Sequence, residues 1–438
     1  MANFKIKKYF PIKSIKNNQK GFAAFYITIL VLVIVFAIAI NIFILSFDQQ
    51  KISINIVRSL QAYYLAESGI EDGILRLSKS MDWSNPYALD LGTGTVTVEI
   101  SNIIGGVRTI TSTGNNLDRV RKVRTTYQIS TQNISFYYGT QAGNGGIIMG
   151  NNSQIQGNVF SNGNVVAPSG RGNISNSVIV ANNGNRIEGL NVGENALAHT
   201  CKDSTIGKEL TYVSGGSLQN CTAVGAIKSR PNEIEPEDLP ISQEQINDWK
   251  EEAAGGGIIN NNISISGLLN YLGPVQIGTP ASPKNLTVNN GAQLKVTGTI
   301  YVTGDIIFIN NSKIELDGNS YGSFGGVIIA DGKITVNPNV ILNGSGQPGS
   351  YIMILSTNSS LDPLTPPIYV ANNAQGAIFY TTSGLIFLKQ NMTAREITGY
   401  KVQIENNAIV QYESGLQDAI FTSGPGGSWK IEGWNEVE

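Results

Sequence analysis

The chain has 438 residues, with 30 Lys and Arg against 32 Asp and Glu, a formal net charge of −2 and a charged fraction of only 14%. Beyond the N-terminus and the short run "RVRKVR" at 119–124 there is no basic cluster, which excludes nucleic acid as a main partner. His199 is the single histidine, so no His-based metal site or spare catalytic triad can be built, and neither a metal nor a cofactor is expected.

At the N-terminus Lys5, Lys7, Lys8, Lys13, Lys16 and Lys20 precede an uncharged run from Gly21 to Phe47. As an α-helix that run is roughly 40 Å long, more than the ~30 Å hydrocarbon core of a bilayer needs. The lysines hold this end in the cytoplasm, so the rest of the chain is expected to be exported. The run is longer than a secretory signal core and lacks a small-residue cleavage site behind it. Beyond Phe47, Ile52, Ile56, Leu60 and Tyr64 continue a helical spacing, and the helix is expected to reach about Ser80 before "WSNP", where Pro86 pushes Asn85 out of the α region. Glu67 and Glu71 lie one turn apart on this helix. Without a third ligand they read as a solvated or subunit-contacting face rather than a metal site.

Three alternating runs follow, "TGTVTVEI" (93–100), "VRTITSTG" (107–114) and "RVRKVRTTYQI" (119–129), separated by Gly and Asn turns. They predict a small antiparallel sheet on the C-terminal half of the helix. From about Gly139 the strands shorten to three to five residues between Asn-Gly, Asp-Gly and Asn-Asn corners, which suits the coils of a large parallel β-helix; a jelly-roll sandwich is the alternative. A helical insertion at 229–257 interrupts the coils, with Ser242 and Gln245 forming a capping box and Ile246 and Trp249 on one face. It is expected to cover a side of the β-helix or a gap between two stacks.

Cys201 and Cys221 are separated by about one coil, so they can stack and form a disulfide in an oxidising compartment; two buried thiols are the other reading. His199 beside Cys201 gives slight support to a Cys–His pair. Acidic residues such as Asp305, Glu315, Asp317 and Asp331 are scattered, mostly at Gly corners, so a polysaccharide-cleaving site is not favoured and the chain reads as a non-enzyme. Tyr137, Tyr138, Trp429 and Trp434 are candidates for contact with a surface, although Trp429 and Trp434 read more naturally as closing the end of a coil stack.

The Lys-rich leader, "KGF" and the unbroken apolar helix resemble the class III leader of type IV prepilins. "AESGIE" within "QAYYLAESGIEDGILRL" (61–77) resembles the signature of PilX-type N-terminal domains of minor pilins and pseudopilins. "LPISQEQINDWKEEA", "LKVTGTIYVTGDI", "GSGQPGSYIMILST" and "ESGLQDAIFTSGPGGSWKIEGWNEVE" resemble the β-helical domain joined to such N-termini in surface proteins of small-genome bacteria. The resemblance implies a leader at 1–21, cut after Gly21 by prepilin peptidase with methylation of Phe22, and a transmembrane and stalk helix at 22–80 that packs among other pilin subunits through Tyr26, Glu67 and Glu71. It further implies a reduced pilin sheet at 81–135 and a right-handed β-helical head at 136–438. Tyr26 stands where major pilins carry Glu, which points to a minor, tip-located subunit that initiates assembly or adheres to surface or host glycans. The expected location is the cytoplasmic membrane, then the cell exterior on a pilus. The alternatives are a single-pass anchor that never polymerises and an enzyme acting on polysaccharide.

Overall fold

The computed structural model describes residues 20–78, 84–92, 94–101, 107–129, 132–133, 136–421 and 429–437, so most of the expected leader and the last residues of the expected stalk lie outside the described residues. The long helix α1 spans Lys20–Ser78 without a break, as a run free of Pro allows. Its first half touches nothing: every residue from Phe22 to Ile54 is exposed, and mean hydropathy there reaches 3.2. In the second half Ala62, Ala66, Ile70 and Leu77 are buried. Ala66, Ile70 and Leu77 pack against Val96, Val98, Ile100, Ile110 and Val123 of an antiparallel sheet.

That sheet contains β1 (Tyr87–Leu91), β2 (Gly94–Ile100), β3 (Val107–Asn116) and β4 (Arg119–Ile129), in that order. Glycine sets how closely the helix approaches. A Cβ on Gly114 would lie 2.2 Å from the Ala62 carbonyl oxygen, and one on Gly69 would lie 2.2 Å from the Ser112 hydroxyl. The glycine of "ESGIE" is thus a packing requirement. Two features differ from expectation. Tyr87–Leu91 adds a first strand, and Trp429–Val437, expected in the head, pairs antiparallel with β4 as the fifth strand. The head therefore does not run to 438. Its C-terminal end returns to the small sheet.

Residues 140–411 form a parallel β-helix with about three short strands per coil, and the order of the coils in space is not their order in the chain. Val275, Ile300, Ile328, Ile354, Phe379 and Ile397 stand in register one above another. The ladder continues with Thr140, Val159, Val178, Ala196, Leu210 and Ile227. Two arms, 258–411 and 140–230, are thus joined end to end where Glu396–Ile404 and Ile409–Gln411 pair with Thr140–Met149 and Gln154–Gln156. Chain entry and exit both lie at this central junction. One apolar core runs through both arms.

A repeated corner keeps the coils aligned. Gly291, Asn311, Asn339, Asn373, Asn391, Asn407 and Asn152 all have φ near +60° to +70°, the left-handed region that Gly and Asn tolerate best. Their amides ladder: Asn311 Nδ2 donates to Asn290 Oδ1 at 3.1 Å, and Asn339 Nδ2 donates to Asn311 Oδ1 at 3.2 Å. The small or apolar residue after each corner, such as Ala292, Ser312, Ala374 and Ala408, is buried.

Residues 231–257 carry the chain from the free end of one arm to the free end of the other, and they do so as a strap along the outer flank. Asn182 N–H donates to the Ile234 carbonyl, the Asn162 side chain bonds the Glu237 backbone in both directions, and Gln141 Nε2 donates to the Asp238 carbonyl. Farther along, Tyr380 Oη donates to the Ile241 carbonyl and accepts from the Ile241 N–H. The strap ends in helix α2, Gln243–Gly255, whose capping box joins Ser242 and Gln245. Ile246, Trp249 and Ala253 of α2 are buried in a second apolar layer with Tyr301, Val327, Ile329, Met353 and Tyr380.

Candidate functional site

The exposed half of α1 presents an apolar surface with its polar groups already satisfied. Asn41 Nδ2 donates to Ala37 O at 2.7 Å and Thr28 Oγ1 to Phe25 O at 2.8 Å, so neither needs water. Phe22 and Tyr26 lie outside any fold contact, their rings 5.4 Å apart. Gly21 is helical. Glu67 and Glu71 do not form a matched pair: Glu71 is exposed, whereas Glu67 is half-buried and hydrogen-bonded to Tyr63, whose hydroxyl it pushes above its ordinary pKa.

Cys201 and Cys221 are joined by a disulfide with Cα atoms 6.2 Å apart. The register partner of Cys201 in the next coil is Leu218, so the bond reaches past the strand to the following corner and ties the last coils of the 140–230 arm together. His199 Nδ1 lies 2.8 Å from Glu233 of the strap. With Cys201 buried and oxidised, the two do not make a nucleophilic pair.

The expected surface aromatics divide. Tyr137 is exposed, whereas the Tyr138 ring lies tilted against Phe160, 5.3 Å between centroids, and its hydroxyl donates to Glu237 of the strap at 3.1 Å. Burial, then Glu237, pushes the Tyr138 hydroxyl up to about 12. Trp434 is half-buried against the small sheet's core and does not close a coil stack: its strand, which begins at Trp429, is drawn away from the head by pairing with β4. Tyr138 and Trp434 are packing residues.

Three polar groupings are not evident from the sequence. Lys250 of α2 lies 2.5 Å from Asp331 and over the ring of Tyr301, and Asp331 also accepts from Tyr301 and from Thr357 at 2.7 Å. Burial, then Asp331, raises the Tyr301 hydroxyl, so it stays protonated and donates. This cluster clamps α2 to the flank. Arg108 of β3 is buried between the two units and donates from Nη2 to Asn319 O at 2.8 Å; burial lowers its guanidinium to about 10 despite Asp317 nearby. Glu396 is fully buried beneath the second apolar layer, bonded to Thr398 at 2.5 Å with its other oxygen unpartnered, and burial raises its carboxyl well above the usual range.

On the opposite side of the 140–230 arm, Gln154, Gln156, Asn173, Ser175, Asn191 and Thr205 line a shallow groove of about 330 Å³ without a charged side chain. Register explains it, because Gln154, Asn173, Asn191 and Thr205 stack on successive coils. Among the described residues no group of three His, Cys, Asp or Glu converges as a metal site.

No family model and no curated protein matches the chain. Among solved structures it is similar to the competence-associated pilin ComZ from Thermus thermophilus at 10% identity, over 87% of this chain and 97% of that one, with a TM-score of 0.20. A score that low carries no argument.

Proposed function

We propose that the chain is a minor pilin-like subunit, held in the membrane by the first half of α1 and drawn from there into a filament, where it sits at the tip and presents the β-helix. The observation that carries this reading is the division of α1: an apolar half with no partner in the fold continues directly into a half that seats an antiparallel sheet. An apolar helix surface of that length has two stable environments, lipid and a bundle of like helices, and a pilin uses both in turn. Tip placement follows from bulk, because a head built of two coil arms does not repeat along a thin filament. The groove of stacked amides and hydroxyls is the face suited to hydrogen-bond the hydroxyls of a neutral surface glycan.

Mass spectrometry of the mature N-terminus, from cells that co-express a prepilin peptidase, tests the reading. A chain beginning at methylated Phe22 is the expected result. An intact N-terminus overturns the pilin pathway and leaves a plain anchored surface protein.

A further inference from the structure

We propose that the β3–β4 hairpin is a foot that rests on the anionic outer surface of the membrane before the subunit is extracted. This rests on the reading of α1 as a membrane span. The strand β3 runs antiparallel to α1, with Ile110 beside Gly73, Ser112 beside Gly69 and Gly114 beside Ala62. The hairpin therefore points back toward the apolar half. Its tip, Leu117 and Asp118, has positive φ at both residues, and the neighbouring Arg119 Nη2 donates to Asn55 Oδ1 at 2.9 Å.

Distance places the tip at the interface. Asn55 follows Asp48, the first charge after the apolar run, by seven residues, about 10 Å along a helix. The headgroup layer is ~5–8 Å deep on each side of the hydrocarbon. With the outer edge of the hydrocarbon set at Asp48, the remaining gap is on the order of one side chain, and the ~20° tilt common for spanning helices shortens it.

Chemistry matches the place. Leu117 and Val120, 58% and 57% exposed, are apolar side chains on an exposed turn. Beside them stand Arg119, Arg121 and Lys122, with Lys51 and Arg58 on the adjacent helix, against Asp48, Asp118 and Glu436, while Arg124 pairs with Thr111 farther up the strand, level with Gly69 and Gly73 of the helix. Glu436 occupies Arg121 at 2.8 Å. Among the described residues Arg119 and Lys122 have no carboxylate within ion-pair distance. Cations at this height are drawn to anionic headgroups, while the two apolar side chains enter the layer between them.

The test is hydrogen exchange of the full chain in nanodiscs of phosphatidylcholine alone or mixed with phosphatidylglycerol. Amides of 116–120 are expected to exchange about fivefold more slowly, or slower still, in the anionic discs, at roughly fivefold per engaged cation. High salt should remove the difference. The variant Arg119→Ser/Lys122→Ser should also remove it while core amides at 178–180 keep wild-type protection; loss of that protection sends the test to Leu117→Ser, which should reduce the slowing. Equal exchange in both discs overturns the foot. A chain that does not enter discs at all overturns the spanning reading, and the foot with it.

Discussion

The two arms of the β-helix solve the same problem differently. In the 140–230 arm strands such as Val178–Val180, Leu190–Val192 and Ala196–Ala198 bury alternate residues, and the outer face is held by ion pairs between coils, Lys202 with Glu188, Lys208 with Glu194 and Lys228 with Glu209. A disulfide ties its end. In the 258–411 arm Gly326–Ala330 and Ile352–Ser356 are buried at every position, because α2 and the strap cover the outer face with a second apolar layer. A strand covered on one face alternates, and a strand covered on both becomes continuously apolar. One arm relies on a cross-link, surface charge and a small strap contact at Phe160, Ala181 and Ile234, the other on an extensive second layer.

Removing the second layer should break the comparison most sharply. Trp249→Ala vacates the largest fully buried side chain of the flank and should cost about 3–5 kcal/mol, with α2 becoming sensitive to protease while the 140–230 arm keeps its exchange protection. Equal loosening of both arms would mean that the layer does not act locally. Cys201→Ser with Cys221→Ser should cost about 3 kcal/mol, for a loop of 20 residues, and should loosen only the last coils of the 140–230 arm. Thermal melts with and without reductant check this, the mutant melt being insensitive to reductant.

A smaller effect, of opposite sign, sharpens the comparison through Glu396. Its carboxyl is raised in the folded chain, so above about pH 4.3 the unfolded chain releases that proton while the folded chain keeps it. Stability contributed by the protonated form is full below that pH and is lost as pH rises through the folded value. Glu396→Gln should therefore raise the Tm at neutral pH and flatten the alkaline side of the Tm profile. A variant that melts lower at neutral pH, with an unchanged profile, would show that the carboxylate is not held in a dry site.

Much of this molecule is legible from local chemistry. The uncharged run of α1, the Ser242–Gln245 box and the Asn corners each obey a rule that acts within a few residues, and each is where the sequence puts it. The order of the coils is not legible. Val159 pairs with Thr140 on one side and Val178 on the other, but an apolar residue at that position would serve any neighbour, so the pattern carries no record of which coil lies next. Trp429–Val437 escapes a sequence reading for the same reason: its composition fits a coil, and only pairing with β4 assigns it to the small sheet. The Lys250 clamp and the buried Glu396 depend on the strap crossing above them, a tertiary event with no local trace.

The central junction has a mechanical consequence. Both connections between the head and the small sheet enter the stack beside Thr140–Met149 and Ile409–Gln411, and the neighbouring Gln132–Asn133 and Ile420–Phe421 are themselves paired. Tension applied between α1 and the coils therefore divides over two covalent strands and arrives at the middle of the stack. Neither free end carries a pulling point, so the coils cannot be unwound one at a time from a terminus. The load must shear the junction, where both arms share it.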